Sequence, residues 1–272
     1  MLKKKNIIII IIIIIIVILI LNSSFLINNK IFPRIAILII TAKSDRWNNE
    51  KRVWKKYGDT YPNIDCFFIE CNNTEGMQTI VSNCKESYVP GIYQKSLDSL
   101  KKVGDNYDFY IRGNLSTFYI FEYLTDYVKK LPQNIPIYTG DASWHSPAQG
   151  RIHNPPASCH SYECDWQRNG VAGTAILLNK RARKLLLKYG FDKKYYNSKR
   201  PDDHVIRNVF KDLNIPSIYN ESGLLYLWDF NLSFDDNFKQ FKKHKYLFIR
   251  LKHENIDNYN KITNKLLNYF YK

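Results

Sequence analysis

Two adjacent carboxylates follow a proline at Asp202 and Asp203, where the stretch PDDHVI opens a run with helical spacing. A carboxylate held beside a hydroxyl group can accept its proton, so this pair is the best candidate in the sequence for a general base. The structural alternative is that both acids lie at the start of a helix, where free amides and the helix dipole favour negative charge. The residue types fit both interpretations.

A second candidate is the stretch Arg112-Gly113-Asn114, where a strand-like run gives way to a helix-like one. A guanidinium group can bind a phosphate through two parallel hydrogen bonds. Asn114 could hydrogen-bond a ribose or phosphate oxygen, and Gly113 would let the backbone approach a ligand closely. The alternative is that Asn114 only caps the helix that follows.

Alternating strand-like and helix-like segments must position these residues. The predicted strands, mostly continuous apolar runs typical of buried strands, are 34–41, 64–70, 107–111, 135–140 and 171–179. The predicted helices are 44–58, 86–103, 116–131, 180–190 and 201–216. This order predicts an α/β fold with a largely parallel sheet. The irregular segment from 141 to 170 is typical of a binding loop or of a disordered loop.

The N-terminus combines Lys3, Lys4 and Lys5 with an unbroken apolar run from Ile7 to Leu21. Counted through Ile27, the run gives roughly 32 Å of helix, the thickness of a bilayer core. We therefore predict a cytoplasmic tail (1–6), a transmembrane signal-anchor (7–27), a short stem (28–33) and one lumenal domain (34–272). A cleaved signal peptide is the alternative, although no clear cleavage site follows.

The chain carries a formal net charge of +15. Its basic residues are spread along the sequence and no standard nucleic-acid-binding motif is present, so we expect no nucleic-acid partner. A basic surface would suit an anionic small ligand. Five cysteines in a lumenal chain predict one or two disulfides and an odd thiol. They are Cys66, Cys71, Cys84, Cys159 and Cys164.

Four stretches, in this order, resemble the β-1,3-galactosyltransferase and fringe-like enzymes of glycosyltransferase family 31. They are RWNNEKRVW, ESYVPGIYQKSLDSL, GVAGTAILLNKRARKLL and PDDHVI, and together they lie between Ile35 and Tyr219. The resemblance implies a GT-A-like fold and a type II membrane enzyme of the Golgi or ER. Such an enzyme moves a sugar from a nucleotide donor, here expected to be UDP-linked, to a hydroxyl of a glycan or glycoprotein with inversion.

The resemblance also implies roles for individual residues. The second acid of PDDHVI supplies the base in the family, which points to Asp203, with Asp202 capping the helix or orienting its neighbour. The expected donor-binding residues are Arg46, Arg52 and Asp108, together with Arg112 and Asn114, which are proposed from their own chemistry. The expected acceptor-binding residues are Trp144, His145 and Gly173.

The sequence departs from the family at the turn after the third strand. Family members have three aspartates there, which bind a divalent metal, whereas this chain has Arg112-Gly113-Asn114. Mn²⁺ and Mg²⁺ need hard oxygen ligands, and their charge offsets that of the leaving diphosphate. The departure favours a metal-independent transferase in which Arg112 supplies positive charge, and it leaves any metal ligands unassigned.

Two other classes of protein remain open from the sequence. The missing aspartates are also compatible with a catalytically inactive lumenal binding or chaperone-like protein of the same fold. A basic membrane structural protein is the other alternative. It predicts that Asp203, Arg112 and Arg46 lie far apart, whereas an enzyme predicts that they converge on one concave site.

Overall fold

Strands and helices alternate along the chain. The computed structural model describes residues 32–42, 45–71, 79–140, 145–146, 151–152, 171–218, 224–251 and 256–271. Its strands are β1 (Ile35–Ile40), β2 (Ile64–Glu70), β3 (Thr79–Val81), β4 (Phe109–Asn114), β5 (Thr117–Tyr119), β6 (Tyr138–Gly140), β7 (His145–Ser146), β8 (Arg151–Ile152), β9 (Ala175–Asn179), β10 (Leu225–Leu227) and β11 (Phe248–Arg250). Its helices are α1 (Asp45–Tyr57), α2 (Gly91–Lys102), α3 (Phe121–Val128), α4 (Lys180–Gly190), α5 (Lys193–Tyr196), α6 (Asp202–Asp212), α7 (Phe234–His244) and α8 (Ile256–Phe270).

The main sheet has the strand order β3-β2-β1-β4-β9-β6. The first four strands of this order run parallel to one another, and β9 runs antiparallel to both β4 and β6. The predicted α/β class with a mainly parallel sheet is therefore confirmed. Connections leave the centre of the sheet in two directions, because β1 leads through α1 to β2 while β3 leads through α2 to β4 on the other side.

The two faces of the main sheet pack against different helices. Side chains alternate between faces along a strand, so Ile35, Ile37 and Ile39 share one core with residues of α1 and α8, and Ala36 and Leu38 share another with residues of α2, α4 and α6. Burial of both faces explains the continuous apolar run of β1.

A smaller sheet, in the order β10-β11-β5, joins the first of these cores. Its strand β5 pairs antiparallel with β11. The end of the chain closes this region, since the Tyr271 hydroxyl donates a hydrogen bond to the Tyr119 carbonyl over 2.6 Å and accepts one from the Phe121 amide over 3.0 Å.

The predicted helix over 116–131 was wrong at its start. The strand β4 continues through Asn114, a turn follows at Leu115-Ser116, and β5 precedes the helix, which begins only at Phe121. Thr117, Phe118 and Tyr119 are residue types that favour a pleated surface, and β11 gives them a pairing partner. Asn114 therefore lies in a strand and does not cap a helix, so that interpretation was also wrong.

Several predictions concern residues outside the described ranges. The expected signal-anchor, Trp144, Cys159 and Cys164 all lie there. Among the residues that the structure does describe, no helix is long and apolar enough to cross a membrane. Residues 33–272 form one compact unit.

A disulfide joins Cys71, which directly follows β2, to Cys84. The two Cα atoms are 5.1 Å apart, and the bond closes a loop in which the residues are 13 positions apart. Cys66, the third described cysteine, is a free thiol buried in the core, and that burial raises its pKa. The described cysteines thus give one disulfide and one odd thiol.

We expect the double variant Cys71→Ala/Cys84→Ala to lose stability. Opening a loop of this length releases chain entropy in the unfolded state worth about 3 kcal/mol. Calorimetry with and without dithiothreitol measures the effect. The reductant should lower the melting temperature of the wild-type chain but not that of the double variant, and an equal response of both proteins would show that the disulfide does not stabilise the fold.

Candidate active site

A cleft of about 740 Å³ opens at the carboxyl ends of β1 and β4. Ligands of open α/β sheets bind at such an edge, where connections from neighbouring strands lead in opposite directions. This position follows from the topology of the main sheet, in which β1 and β4 are neighbours whose connections diverge. The start of α6 and the loop before β9 complete the wall.

Three cationic side chains line the cleft: Lys95 from α2, Arg112 from β4 and Arg250 from β11. Only 2% of the Lys95 side chain is exposed. Its ammonium group donates a hydrogen bond to the Thr41 carbonyl over 2.6 Å and lies 2.6 Å from the Glu86 carboxylate. Lys95 is therefore fixed between the end of β1 and the loop before α2.

Arg112 forms a buried ion pair with Asp202. Alternation along β4 places Arg112 on the face covered by α2 and α6, where its Nε lies 2.7 Å from Asp202 Oδ2. The two side chains are only 5% and 6% exposed. Ser96 of α2 also donates a hydrogen bond to Asp202 Oδ2, over 3.3 Å. Burial raises the pKa of the Asp202 carboxyl, and the Arg112 guanidinium opposes that rise.

Asp203 is half-buried and lines the cleft. Its Oδ2 accepts a hydrogen bond from the Gly173 amide over 2.9 Å, and its Oδ1 accepts one from the His204 amide over 2.9 Å. Both oxygens are thus oriented by the backbone. A carboxylate has about four acceptor positions, so each oxygen keeps one for a substrate. The burial of His204 lowers its pKa, with Asp203 opposing that shift.

Arg112 connects Asp202, which lies beside its Nε, to Asp203 through hydrogen bonds that involve its Nη1 and the backbone of Gly173. It donates a hydrogen bond to the Gly173 carbonyl and another, over 2.8 Å, to Asn114 Oδ1. Asn114 lies two residues along β4 and on the same face of the strand, which is why its side chain reaches the same guanidinium.

Gly113 shows why a carboxylate does not fit between these two residues. A Cβ at Gly113 would lie 2.2 Å from the hydroxyl oxygen of Tyr119, on the opposite face of β4. The end of β4 therefore presents a cation and an amide, which is not the donor set that Mn²⁺ or Mg²⁺ requires. Within the described ranges, no group of three or more histidine, cysteine, aspartate or glutamate side chains could hold a metal ion.

We expect Gly113→Ala to destabilise the protein by about 1–3 kcal/mol, the usual cost of forcing atoms into a packed core. The melting temperature is the measurement. Tyr119→Phe removes the oxygen that the new methyl group would meet, so combining the two substitutions should recover part of the loss. A wild-type melting temperature for Gly113→Ala would contradict this packing.

Five of the predicted site residues line this cleft, and two others do not. Asp202, Asp203, Arg112, Asn114 and Gly173 line the cleft together.

The two exceptions are Arg52 and Asp108, which the structure places away from the cleft. Arg52 points outward from α1 because its neighbours Val53 and Trp54 face the core, and it lines a separate groove beside α8. Asp108 directly precedes β4, at the end of the strand opposite the cleft, where it accepts a hydrogen bond from the Arg34 amide over 2.8 Å.

The remaining candidates are outside the description. The backbone of Arg46 lies in α1 and that of His145 in β7, but their side chains are outside the described part, as is the whole of Trp144. An enzyme was expected to bring Asp203, Arg112 and Arg46 together in one concave site. Asp203 and Arg112, whose side chains are described, do lie in the same cleft.

Sequence reasoning gave no role to Lys95, Trp47 or Arg250, all of which line the cleft. Lys95 had a usable signal, because it lies on a helix face otherwise formed by small and apolar residues such as Ser96 and Ser99, both buried. Arg250 had none, since it ends a short strand far along the chain and reaches the cleft only through the pairing of β11 with β5.

No protein-family model and no curated protein matches this sequence. The resemblance to family 31 therefore remains a prediction from the motifs.

Several solved structures of glycosyltransferases are similar to this chain. The bifunctional glycosyltransferase WbbM is 12% identical, with a TM-score of 0.46, over 85% of this chain and 50% of its own. A glycosyltransferase involved in glycosylation of the major capsid of PBCV-1 is 12% identical, with a TM-score of 0.47, over 84% of this chain and 100% of its own. GlyE of Streptococcus pneumoniae TIGR4 is 10% identical, with a TM-score of 0.45, over 88% of this chain and 63% of its own. This chain thus spans half the length of WbbM.

Proposed function

We propose that this protein is a glycosyltransferase that moves a sugar from a UDP-linked donor to a hydroxyl of a glycan or glycoprotein, with inversion. The observation that supports it is the position of Asp203, a half-buried carboxylate oriented by two backbone amides in the same cleft as three cationic side chains. A base for the acceptor and charge for a diphosphate are what such a transfer needs.

In the proposed reaction, the acceptor oxygen attacks the anomeric carbon as its proton passes to Asp203. The bond from that carbon to the diphosphate breaks on the opposite face, which inverts the configuration. A base contributes to such a step only when its carboxylate lies within hydrogen-bond reach of the hydroxyl. Asp203 lines the cleft, so the acceptor hydroxyl approaches it from the cleft.

The donor occupies the rest of the cleft in this proposal. Arg250 supplies positive charge for the diphosphate as it leaves, whereas Lys95, like Arg112, is buried in an ion pair. The rings of Trp47 and Tyr88 line the same wall and offer flat apolar surfaces to a base or a sugar. Trp144 and His145 stay candidates for acceptor contacts.

Transfer without a metal is part of the proposal. Its support is the donor set at the end of β4, where Arg112 and Asn114 stand in place of carboxylates and Gly113 has no space for a side chain. Positive charge then comes from side chains alone.

We further propose that residues 7–27 anchor the chain in the Golgi or ER membrane with the transferase domain in the lumen. The disulfide between Cys71 and Cys84 supports this compartment, because disulfides persist where the environment is oxidising. Alkaline extraction and protease protection of the chain in microsomes test the arrangement. A fully extracted or protease-accessible domain would contradict it.

The experiment for the activity is a donor screen on the full chain in detergent. UDP-, GDP- and CMP-sugars are offered with a panel of glycan acceptors, and released nucleotide and glycosylated product are both measured. We expect saturable transfer from a UDP-sugar, with an inverted anomeric configuration by NMR. Retention would contradict the role of Asp203. No release of nucleotide from any of these donors would contradict the enzyme and leave the catalytically inactive binding or chaperone-like protein.

A further inference from the structure

We infer that Arg112 is a positioning residue, which holds the backbone of Gly173 so that the Gly173 amide orients the Asp203 carboxylate. The inference rests on the proposed function, in which Asp203 is the base. It gives Arg112 a task different from direct binding of the donor phosphates.

The chain of contacts is continuous from the sheet to the base. Asp202 holds the guanidinium of Arg112 through its Nε, at 2.7 Å. The Nη1 of Arg112 then donates a hydrogen bond to the Gly173 carbonyl, and the Gly173 amide donates one to Asp203 Oδ2 over 2.9 Å. Gly173 is thus hydrogen-bonded to Arg112 through its carbonyl and to Asp203 through its amide. These two bonds couple the position of the base to that of the guanidinium.

Asp202 and Asp203 have different surroundings because successive residues of a helix point about 100° apart. Asp202 faces the sheet, where it is almost fully buried against Arg112. Asp203 faces the cleft, where it stays half-buried. One carboxylate therefore fixes the guanidinium, and the other is available to a substrate.

The surroundings of Arg112 argue against a direct phosphate contact. Its side chain is 5% exposed, and its charge lies against that of Asp202. Of the five N–H groups of an arginine, the two on Nη1 are directed at Asn114 and Gly173, and Nε lies 2.7 Å from the Asp202 carboxylate. A guanidinium held in this way acts as a fixed clamp on the Gly173 carbonyl.

Gly173 itself fits this arrangement because it lacks a side chain. A Cβ there would lie 3.1 Å from Arg112 Nη1 and 3.3 Å from Asp203 Oδ2. Both distances are shorter than ordinary van der Waals contact, so a methyl group would push the clamp and the base apart. Gly173→Ala is therefore a second way to disturb the same link without changing any charge.

The test compares Arg112→Lys with a matched variant, Arg183→Lys, on the full chain. Arg183 is also a buried arginine, paired with Asp105 and bonded to the Leu100 carbonyl, but it lies outside the cleft. Lysine keeps the charge at both positions and loses the forked geometry. The measured quantities are kcat, the KM for donor and acceptor, and the melting temperature.

We expect Arg112→Lys to lower kcat about 10- to 100-fold, the range for a catalytic group displaced by about an ångström, with the donor KM changed less than about twofold. Gly173→Ala should lower kcat in the same way. Arg183→Lys should also lower the melting temperature, while kcat stays near the wild-type value.

Two results would overturn the inference. A donor KM raised about tenfold or more in Arg112→Lys, with kcat retained, would make Arg112 a phosphate ligand. An equal loss of kcat in Arg183→Lys would mean that any buried arginine has this effect. Failure of the proposed function looks different, because the wild-type chain itself would then turn over no nucleotide sugar, and the positioning of a base would fall with it.

Discussion

Replacing Asp203 by asparagine is expected to lower kcat for sugar transfer about a thousandfold, within the usual contribution of a general base. The amide oxygen of asparagine can still accept a hydrogen bond from the Gly173 or His204 backbone, so the fold and the cleft should be retained. It cannot take the proton of an acceptor hydroxyl. The donor KM should therefore stay within about threefold of the wild-type value, since the lost interaction belongs to the transition state.

The matched control for this substitution is Asp108→Asn. Asp108 is exposed, bonds the Arg34 amide and lies at the other end of β4, so its variant should transfer sugar at the wild-type rate. A kcat for Asp203→Asn within about threefold of wild type would place the base elsewhere. A loss in Asp108→Asn as large as that in Asp203→Asn would point to a general effect of charge removal.

The second large effect is expected from Arg112→Ala, which leaves Asp202 buried without its partner. The two side chains are almost fully buried, and breaking such a pair from one side typically costs about 3–5 kcal/mol. The free energy of unfolding from urea titration is the measurement. We expect the midpoint to fall sharply and the unfolding transition to remain cooperative.

The double variant Arg112→Ala/Asp202→Asn separates charge from packing. It removes the buried carboxylate as well, so it should be more stable than Arg112→Ala alone by about 1–2 kcal/mol. If instead the losses of unfolding free energy in Arg112→Ala and Asp202→Asn simply add up in the double variant, the ion pair does not couple the two residues. Asp202 would then not hold the Arg112 guanidinium in place.

Much of the fold was accessible from the sequence because local patterns decide it. The apolar runs of β1 and β2 and the acids that open α6 are signals carried by neighbouring residues, and the structure places these elements within a few residues of the prediction. The strand β5 was not accessible in this way. Thr117–Tyr119 is too short to carry a pattern, and its state depends on pairing with β11, more than a hundred residues away.

The site was predictable only in part, for a similar reason. Sequence singled out Asp202 and Asp203 but could not say which acid faces the sheet, because this depends on how α6 packs against α2 and β4. Arg52 was predicted to lie in the site, but its side chain is on the outer side of α1, away from the cleft. Arg250 lies in the cleft because β11 pairs with β5, and no sequence motif predicts that pairing.

The most direct test of the account is the release of nucleoside diphosphate from a UDP-sugar and acceptor in excess EDTA, followed side by side for the wild-type chain and Asp203→Asn. We predict turnover by the wild-type chain that EDTA does not reduce, and none above background for the variant. Wild-type turnover lost in EDTA would contradict the reading of the β4 end as a site that works without metal. Turnover retained by Asp203→Asn would contradict the assignment of the base, and with it the function proposed for this cleft.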